Sequence, residues 1–148
     1  MKISLSLLLF LIVPCAFAGN ERVMQEFARR TGINHMTEKD VLAGCDGAQM
    51  SMNLCAEYHF IERDLQLNDE YRKLQKNLDG RDLKKLIAAQ RAWISFRDLE
   101  CDFAASDVEG GSMEPMMSLK CKQELTKHRI AQLKKYNACT SVRGECPP

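Results

Sequence analysis

The chain lacks an excess of charge of either sign. Its 148 residues include 21 Lys and Arg against 20 Asp and Glu, which gives a formal net charge of +1. Nucleic-acid-binding domains normally carry a strongly basic surface, because they must neutralise phosphates. The charge balance therefore argues against a nucleic-acid partner.

The sequence also lacks the motifs that commonly mark catalytic and cofactor sites. Its three histidines, His35, His59 and His128, do not form a His-Glu-x-x-His pattern. It contains neither a Gly-x-Ser-x-Gly elbow nor a phosphate-binding glycine loop. No two cysteines have the C-x-x-C spacing of zinc and redox sites. We therefore expect no enzymatic activity, no metal and no cofactor.

Long hydrophobic runs are absent except at the N-terminus. Residues 3–13 are apolar or small, and Ala16-Phe17-Ala18 matches the small-x-small pattern of a signal peptidase site. The run is shorter than the roughly 20 residues that a membrane-spanning helix needs. The sequence predicts a signal peptide over residues 1–18, cleaved after Ala18, and a periplasmic or secreted product with no membrane span. A lipoprotein signal with Cys15 as the lipidated residue is the alternative, but Pro14 stands where such signals have a small residue.

Cysteine, in contrast, is plentiful. Seven are present, and removal of the predicted signal peptide with Cys15 leaves six. An even number of cysteines in an exported chain indicates a disulfide framework. The six are Cys45, Cys55, Cys101, Cys121, Cys139 and Cys146.

Apolar residues recur at helical spacing in three long segments, residues 48–78, 83–101 and 115–136. Between the first two, Asp79-Gly80 predicts a tight turn, and Asp82 is a candidate cap for the second helix. A short connection makes neighbouring helices antiparallel. The predicted fold is therefore all-α, a long antiparallel helical hairpin with a third helix packed across it.

The hairpin predicts which residues lie level with one another. Residues whose numbers sum to about 158 should be opposite, which pairs Asn68 with Gln90 and Ile61 with Arg97. Polar residues would then interrupt an apolar seam, either as a ligand-binding cluster or as a hydrogen-bonded network that fixes the helix register. We favour the network, because a seam between two long helices leaves little room for a substrate. Its predicted members are Asp64, Asn68, Gln90, Trp93 and Arg97.

The same level argument predicts disulfide pairs. Cys55 lies within about one turn of Cys101, so a Cys55–Cys101 disulfide is the first choice. Cys45 and Cys121 fall at the same end of the hairpin, which makes Cys45–Cys121 the second. Cys139 and Cys146 could then close a small loop in the tail.

Residues 19–44 have weaker helical patterns and are predicted to be a peripheral helical lead-in. One helix is predicted over residues 21–30, and Gly32 follows it. A second helix is expected to begin after Thr37, which forms a capping-box pattern with Asp40.

Charge is distributed unevenly along the second half of the chain. Residues 98–119 include six acidic residues and no Lys or Arg, whereas residues 120–148 include seven basic and two acidic residues. Gly110-Gly111 lies inside the acidic segment and predicts a chain reversal. The charge could be ordinary solvated surface, but a loop held by disulfides would also suit a rigid docking element.

Several short motifs together resemble the family of LprI-like lysozyme inhibitors, which are small exported bacterial helical domains. The most specific are Gln90-Arg91-Ala92-Trp93, Phe96-Arg97-Asp98 with Cys101, and Gly110-Gly111-Ser112. The remaining matches are Cys45, Asn53-Leu54-Cys55-Ala56, Asp64, Leu67-Asn68, Tyr71, Cys121, Thr126, Arg129 and Leu133.

The resemblance covers residues 45–136 and leaves the lead-in, residues 19–44, and the tail, residues 137–148, outside the family pattern. It implies a periplasmic protein whose partner is lysozyme or another cell-wall-lytic protein. The protein would inhibit this partner stoichiometrically by occluding the partner's cleft. The alternatives are an immunity protein against another envelope-targeting toxin, or a structural envelope protein. Our hypothesis for the partner contact is the acidic loop formed by Asp107, Glu109, Gly110, Gly111, Ser112 and Glu114. The sequence leaves the oligomeric state open.

Overall fold

A computed structural model describes the backbone of residues 15–141 and the side chains of residues 20–139. This part of the chain contains helices and no strands, so the predicted all-α fold is confirmed. Its elements are α1 (Cys15–Thr31), α2 (Glu38–Ala43), α3 (Gln49–Lys76), α4 (Gly80–Ala104), the 3-10 turn Ser106–Val108 and α5 (Glu114–Ser141).

None of the helices in the described residues is long and apolar enough to cross a membrane. The predicted signal peptide over residues 1–18 lies largely outside the described residues, and α1 already begins at Cys15. Cys146 also lies outside them, so the Cys139–Cys146 disulfide stays a prediction.

Helices α3 and α5 are parallel, and their packing is the most extensive between any two elements of the described chain. Gln123 donates a 3.0 Å hydrogen bond to the carbonyl oxygen of Ala56, and Asn137 donates a 3.0 Å hydrogen bond to that of Glu70. Both pairs are separated by 67 residues in sequence, which means that the two helices advance in the same direction. Helix α5 therefore follows α3 along its length.

Helix α4 is antiparallel to both of them. Arg129 of α5 donates a 3.0 Å hydrogen bond to Gln90, and Cys121, earlier on α5, is bonded to Cys101, later on α4. Towards α3, Arg97 lies 3.5 Å from Asp64, close to the level predicted for the hairpin. Helices α3, α4 and α5 thus form a bundle in which α5 packs against both other helices.

The core consists of two clusters of buried side chains. The first joins α1 and α2 to the first half of α3 and contains Val23, Phe27, Val41, Tyr58 and Ile61. The second lies in the three-helix bundle and contains Leu67, Leu74, Leu86, Ile130 and Leu133.

Helix α1 was expected to be peripheral, but it supplies much of the first cluster. Phe27 is fully buried and Val23 is 5% exposed. Burying a side chain of this size contributes roughly 2–3 kcal/mol. The lead-in is therefore integrated into the fold, while the division into residues 19–44, 45–136 and 137–148 stays a prediction.

The helix ends follow local sequence signals in most places. The predicted capping box is confirmed, since the Asp40 amide donates to the Thr37 hydroxyl and the Thr37 amide donates to the Asp40 carboxylate. Gly32 follows α1 with a φ of 75°. The prediction that Asp82 caps α4 was wrong, because the cap position is Asp79 and Asp82 lies in the first helical turn.

Both tested disulfide predictions were wrong. The structure pairs Cys45 with Cys55, whose Cα atoms are 5.2 Å apart, and Cys101 with Cys121, whose Cα atoms are 5.4 Å apart. The predicted Cys55–Cys101 pair assumed that α3 and α4 pack directly along their length. The predicted Cys45–Cys121 pair assumed only that both cysteines lie at the same end of the hairpin.

The true pairs follow from two contacts that the hairpin argument omitted. Cys101 is buried on the side of α4 that faces α5, which brings it to Cys121. At the other disulfide, Gly44 lies so close to α3 that an added Cβ would be 2.8 Å from the Ser51 Cβ. This close approach folds Cys45 back onto the beginning of α3, beside Cys55.

Candidate functional site

The predicted polar network centres on Arg97, which is only 7% exposed. Its guanidinium donates to Asp98 at 2.9 Å and lies 3.5 Å from Asp64. The same guanidinium lies 5.1 Å from the centroid of Phe60 and 5.4 Å from that of Trp93. Arg97 is therefore buried with carboxylates at its edge and two aromatic rings beside it, Phe60 on α3 and Trp93 on its own helix α4.

Two further arginines extend this arrangement. Arg30 of α1 lies 5.4 Å from the Phe60 centroid, and Arg129 of α5 lies 5.8 Å from the Trp93 centroid. Three guanidinium groups and two rings thus alternate through contacts between α1, α3, α4 and α5. We call this set the arginine ladder, and it consists of Arg30, Phe60, Arg97, Trp93 and Arg129.

Carboxylates neutralise the α1 end of the arginine ladder. Arg30 contacts Glu26 at 2.7 Å, Asp64 at 2.9 Å and Glu57 at 3.5 Å. Burial works against the charged form of Arg30, but these carboxylates outweigh it and raise its pKa. Hydrogen bonds from Arg29 and Arg30 lower the pKa of Glu26 to about 2. Burial raises the pKa of Glu57, despite the attraction of Arg30.

At the other end of the ladder, hydrogen bonds take the place of carboxylates. Arg129 is 9% exposed, and burial lowers its pKa. Its guanidinium donates to the side-chain oxygens of Gln90 and Gln132. The ladder therefore stabilises the packing of four helices, and its charged groups are paired with other groups inside the protein.

The structure brings four of the five predicted network residues together. Asp64, Trp93 and Arg97 are in direct contact, and Gln90 joins them through Arg129. Gln90 bonds to Arg129 of α5, and the predicted position of Asn68 opposite Gln90 stays a prediction. Sequence reasoning also missed Arg30, Phe60 and Arg129 as members. Their helical spacing placed them on inward faces, but nothing showed that those faces would meet.

The acidic loop is well anchored. The Cys101–Cys121 disulfide closes the segment that contains it, and the Asn53 amide donates a 2.9 Å hydrogen bond to the Ser112 carbonyl oxygen. Gly110 adopts a φ of 73°, which favours glycine. A Cβ on Gly111 would lie 2.9 Å from the Val108 carbonyl oxygen, so the reversal requires both glycines.

The six residues predicted for the partner contact have different roles in the loop. Glu114 is half-buried and accepts a 2.6 Å hydrogen bond from the Gly110 amide, so its carboxylate holds the loop together. Asp107 and Glu109 are exposed, and within residues 20–139 neither forms an ion pair. Gly110, Gly111 and Ser112, which follow Glu109, are exposed as well.

An open groove of about 470 Å³ lies beside the loop. Gly110, Gly111 and Glu114 form one side, and Glu57 and Lys122 line it from α3 and α5. Lys122 is 3.4 Å from Asp102, which also lines the groove. Such a groove can receive side chains of a docked protein, with charged groups on its wall to orient them.

The histidines do not form a catalytic or metal centre in the described part of the chain. His59 lies within 4.8 Å of Cys45 and Cys55, a geometry that could hold a metal ion if the cysteines were thiolates. Both cysteines are in the disulfide, so they cannot act as thiolate ligands. His128 is exposed on α5 and lines a separate open groove with Trp93 and Arg129.

Comparison with known proteins identifies the family. The family described as "Lysozyme inhibitor LprI" matches residues 43–133, which include α3, α4, the acidic loop and most of α5. An uncharacterized protein from Rhizobium meliloti (strain 1021) is 38% identical over 100 residues, which cover 59% of this chain and 72% of that protein. No solved structure matches the chain. Since the family match spans more than half of the sequence, the chain belongs to the LprI family of lysozyme inhibitors.

Proposed function

We propose that this protein is an exported inhibitor of lysozyme that binds the enzyme through its acidic loop and occludes the catalytic cleft. The observation that carries the proposal is the pair of exposed carboxylates without ion-pair partners, Asp107 and Glu109, on a loop of the described chain that is fixed by a disulfide. The description of the family supplies the class of target.

The chemistry of the target fits this loop. Lysozymes of the common animal type are cationic proteins with a catalytic carboxylate pair in an open cleft. An inhibitor of such an enzyme needs only to fill the cleft entrance and to match the surrounding positive potential. Complementary charges accelerate association and select against wrong partners. A loop that is already rigid also loses less conformational entropy on binding.

Export is consistent with the disulfides. Such bonds persist in oxidising compartments such as the bacterial periplasm, and the described structure contains two of them. Together with the predicted signal peptide, they support release into the periplasm of a Gram-negative bacterium. Lipid attachment at Cys15 is the competing route, and the mass of the mature protein distinguishes the two.

The test is a titration of the oxidised mature protein against the lytic activity of a panel of animal and bacterial lysozymes. We expect activity to fall in proportion to added protein until the two are equimolar. The Asp107→Lys/Glu109→Lys variant should weaken inhibition about 10- to 100-fold and reduce its salt dependence, because the attraction becomes repulsion. Glu114 is left unchanged, since it holds Gly110.

The matched control is Glu21→Lys/Asp82→Lys, which makes the same change in net charge at two exposed residues outside the loop, with Asp82 at the opposite end of α4. It should leave inhibition within about twofold of the unchanged protein. Equal losses of inhibition in both variants would show that inhibition depends only on the net charge of the protein. A folded protein that inhibits no lysozyme would refute the proposal and favour an immunity or structural role in the envelope.

A further inference from the structure

The outer face of α4 carries bulky apolar side chains that nothing in the described chain covers. Phe96, Leu99 and Phe103 are 52%, 69% and 75% exposed. Their spacing of three and four residues places them on one side of the helix, opposite the buried Gln90 and Arg97. This stripe is separate from the acidic loop, which begins after α4 ends.

The stripe continues towards the start of α4 with smaller or slender side chains. Ala92, Ala89 and Lys85 extend the same alternation of three- and four-residue steps, and all three are exposed. Six positions thus follow the heptad spacing of a helix-pairing seam, with one lysine and two alanines in the first half and large apolar residues in the second. They are Lys85, Ala89, Ala92, Phe96, Leu99 and Phe103.

Charge changes sign along the same helix. Residues 81–91 include four basic residues and one acidic residue, whereas residues 98–104 include three acidic residues and no basic one. Next to the seam, Lys84 and Arg91 lie on the same flank as Asp98 and Asp102. The outer surface of α4 therefore carries small and basic side chains at its start, and large apolar and acidic side chains at its end.

We propose that two copies of this protein associate through antiparallel pairing of their α4 helices. In a two-fold symmetric dimer, residues whose numbers sum to about 188 lie level with each other. Phe96 then packs on Ala92 of the second copy, and Leu99 packs on Ala89. Phe103 lies on the methylene groups of Lys85, whose ammonium can also approach the ring.

The same alignment matches the flanking charges. In an antiparallel pair the same flank of each helix meets, so Lys84 lies near Asp102 of the second copy and Arg91 lies near Asp98. Within their own chain these carboxylates already contact Lys122 and Arg97, so the second copy adds a second cation to each. A parallel pair would bring large residues together and place like charges side by side. The two halves of α4 complement each other in both size and charge, which is why we choose a second copy over a different protein as the occupant.

The inference goes beyond the proposed function and does not depend on it, because it is tested without lysozyme. Sedimentation of the oxidised full mature protein over a range up to about 200 μM should show a reversible monomer–dimer equilibrium. Ala92→Glu should raise the dissociation constant at least about 10-fold, because it buries a carboxylate near the symmetry axis against an apolar ring. Ala131→Glu, on the exposed side of α5, is the matched control and should leave dimerisation unchanged.

A charge exchange tests the alignment itself. Lys84→Glu and Asp102→Lys should each weaken the dimer about 5-fold, and the double variant should return to within about twofold of the unchanged protein. Circular dichroism and urea unfolding at low protein concentration check that each variant is folded. A protein that stays monomeric throughout the range refutes the inference, as does a dimer that Ala92→Glu leaves intact. If the protein is monomeric and Ala92→Glu weakens lysozyme inhibition, the α4 face belongs to the enzyme contact instead.

Discussion

The arginine ladder and the acidic loop use charged residues in opposite ways. In the ladder, Arg97 and Arg129 are under a tenth exposed, and each has aromatic, carboxylate or amide partners within the protein. In the loop, Asp107 and Glu109 are exposed, and no cation within residues 20–139 pairs with them. Charges that are satisfied internally stabilise the fold, and charges left unsatisfied at the surface are available to a partner.

The two regions also differ in what keeps them in place. The ladder depends on side chains from four helices, so it forms only when the whole bundle is assembled. The loop is fixed locally by the Cys101–Cys121 disulfide and by hydrogen bonds from Asn53 and to Glu114. Damage to the ladder should therefore reduce stability, and damage to the loop's attachments should reduce binding as well.

The largest effect is expected from removal of the loop disulfide. Cys101→Ser/Cys121→Ser opens a segment with a sequence separation of 20, which should lower the free energy of unfolding by about 3 kcal/mol. Inhibition of lysozyme should weaken as well, because the freed loop must be ordered when it binds. Urea unfolding and titration of lytic activity measure the two effects.

The other disulfide provides the control for this prediction. Cys45→Ser/Cys55→Ser opens a segment with a separation of 10, and the expected loss of stability is smaller by about 0.6 kcal/mol. Under conditions where both variants are folded, only the first should inhibit less well. If the two variants lose inhibition equally, the loop does not depend on its own disulfide for binding.

Removal of Arg97, the central residue of the arginine ladder, should have the next largest effect on stability. Arg97→Ala removes contacts with Phe60 and Trp93 and leaves a space between them, while Asp64 keeps its 2.9 Å contact with Arg30. We expect a loss of about 2–3 kcal/mol in the free energy of unfolding, measured with urea, and unchanged inhibition by the folded fraction.

Arg72→Ala is the appropriate comparison for Arg97→Ala. Arg72 is exposed on α3 and its ion pair with Asp69 is at the surface, so its loss should change stability by less than about 0.5 kcal/mol. Similar losses from both variants would mean that the buried stacking contributes little. A clear loss of inhibition in folded Arg97→Ala would mean that the ladder also shapes the binding surface.

The sequence predicted the local features well, because short-range physics determines them. The Thr37–Asp40 capping box, the helix over residues 83–101 and the turn after residue 78 depend on neighbours within a few positions. Predictions that required the position of a third helix failed. Cys101 bonds to Cys121, because α5 supplies the partner that a two-helix argument assigned to α3.

The loop illustrates a different limit. Its acidic composition and paired glycines were visible in the sequence, and the structure explains the glycines through a φ of 73° at Gly110 and the close carbonyl oxygen at Gly111. Nothing in the sequence separated Glu114, which binds the Gly110 amide, from Asp107 and Glu109, which extend into solvent. The role of each carboxylate depends on where its side chain points, and the sequence pattern does not determine this.

The smallest effect is expected from acid, and it compares two carboxylates that contact Arg30. The pKa of Glu26 falls to about 2 in the folded protein from an ordinary value of 4.5, because Arg29 and Arg30 donate hydrogen bonds to it. As the pH falls below 4.5 the unfolded chain takes up this proton first, so stability is lost between about pH 4.5 and pH 2. After allowance for solvent screening this amounts to about 1 kcal/mol. Glu26→Gln should remove that part of the loss of stability when urea unfolding is compared at about pH 6 and pH 3.

For Glu57 the effect of acid on stability has the opposite sign, because burial raises its pKa and protonation favours the folded state. Glu57→Gln should therefore leave the acid-induced loss undiminished or make it slightly larger, and a reduced loss in that variant would contradict the assignment of Glu26 as the acid-sensitive partner of Arg30.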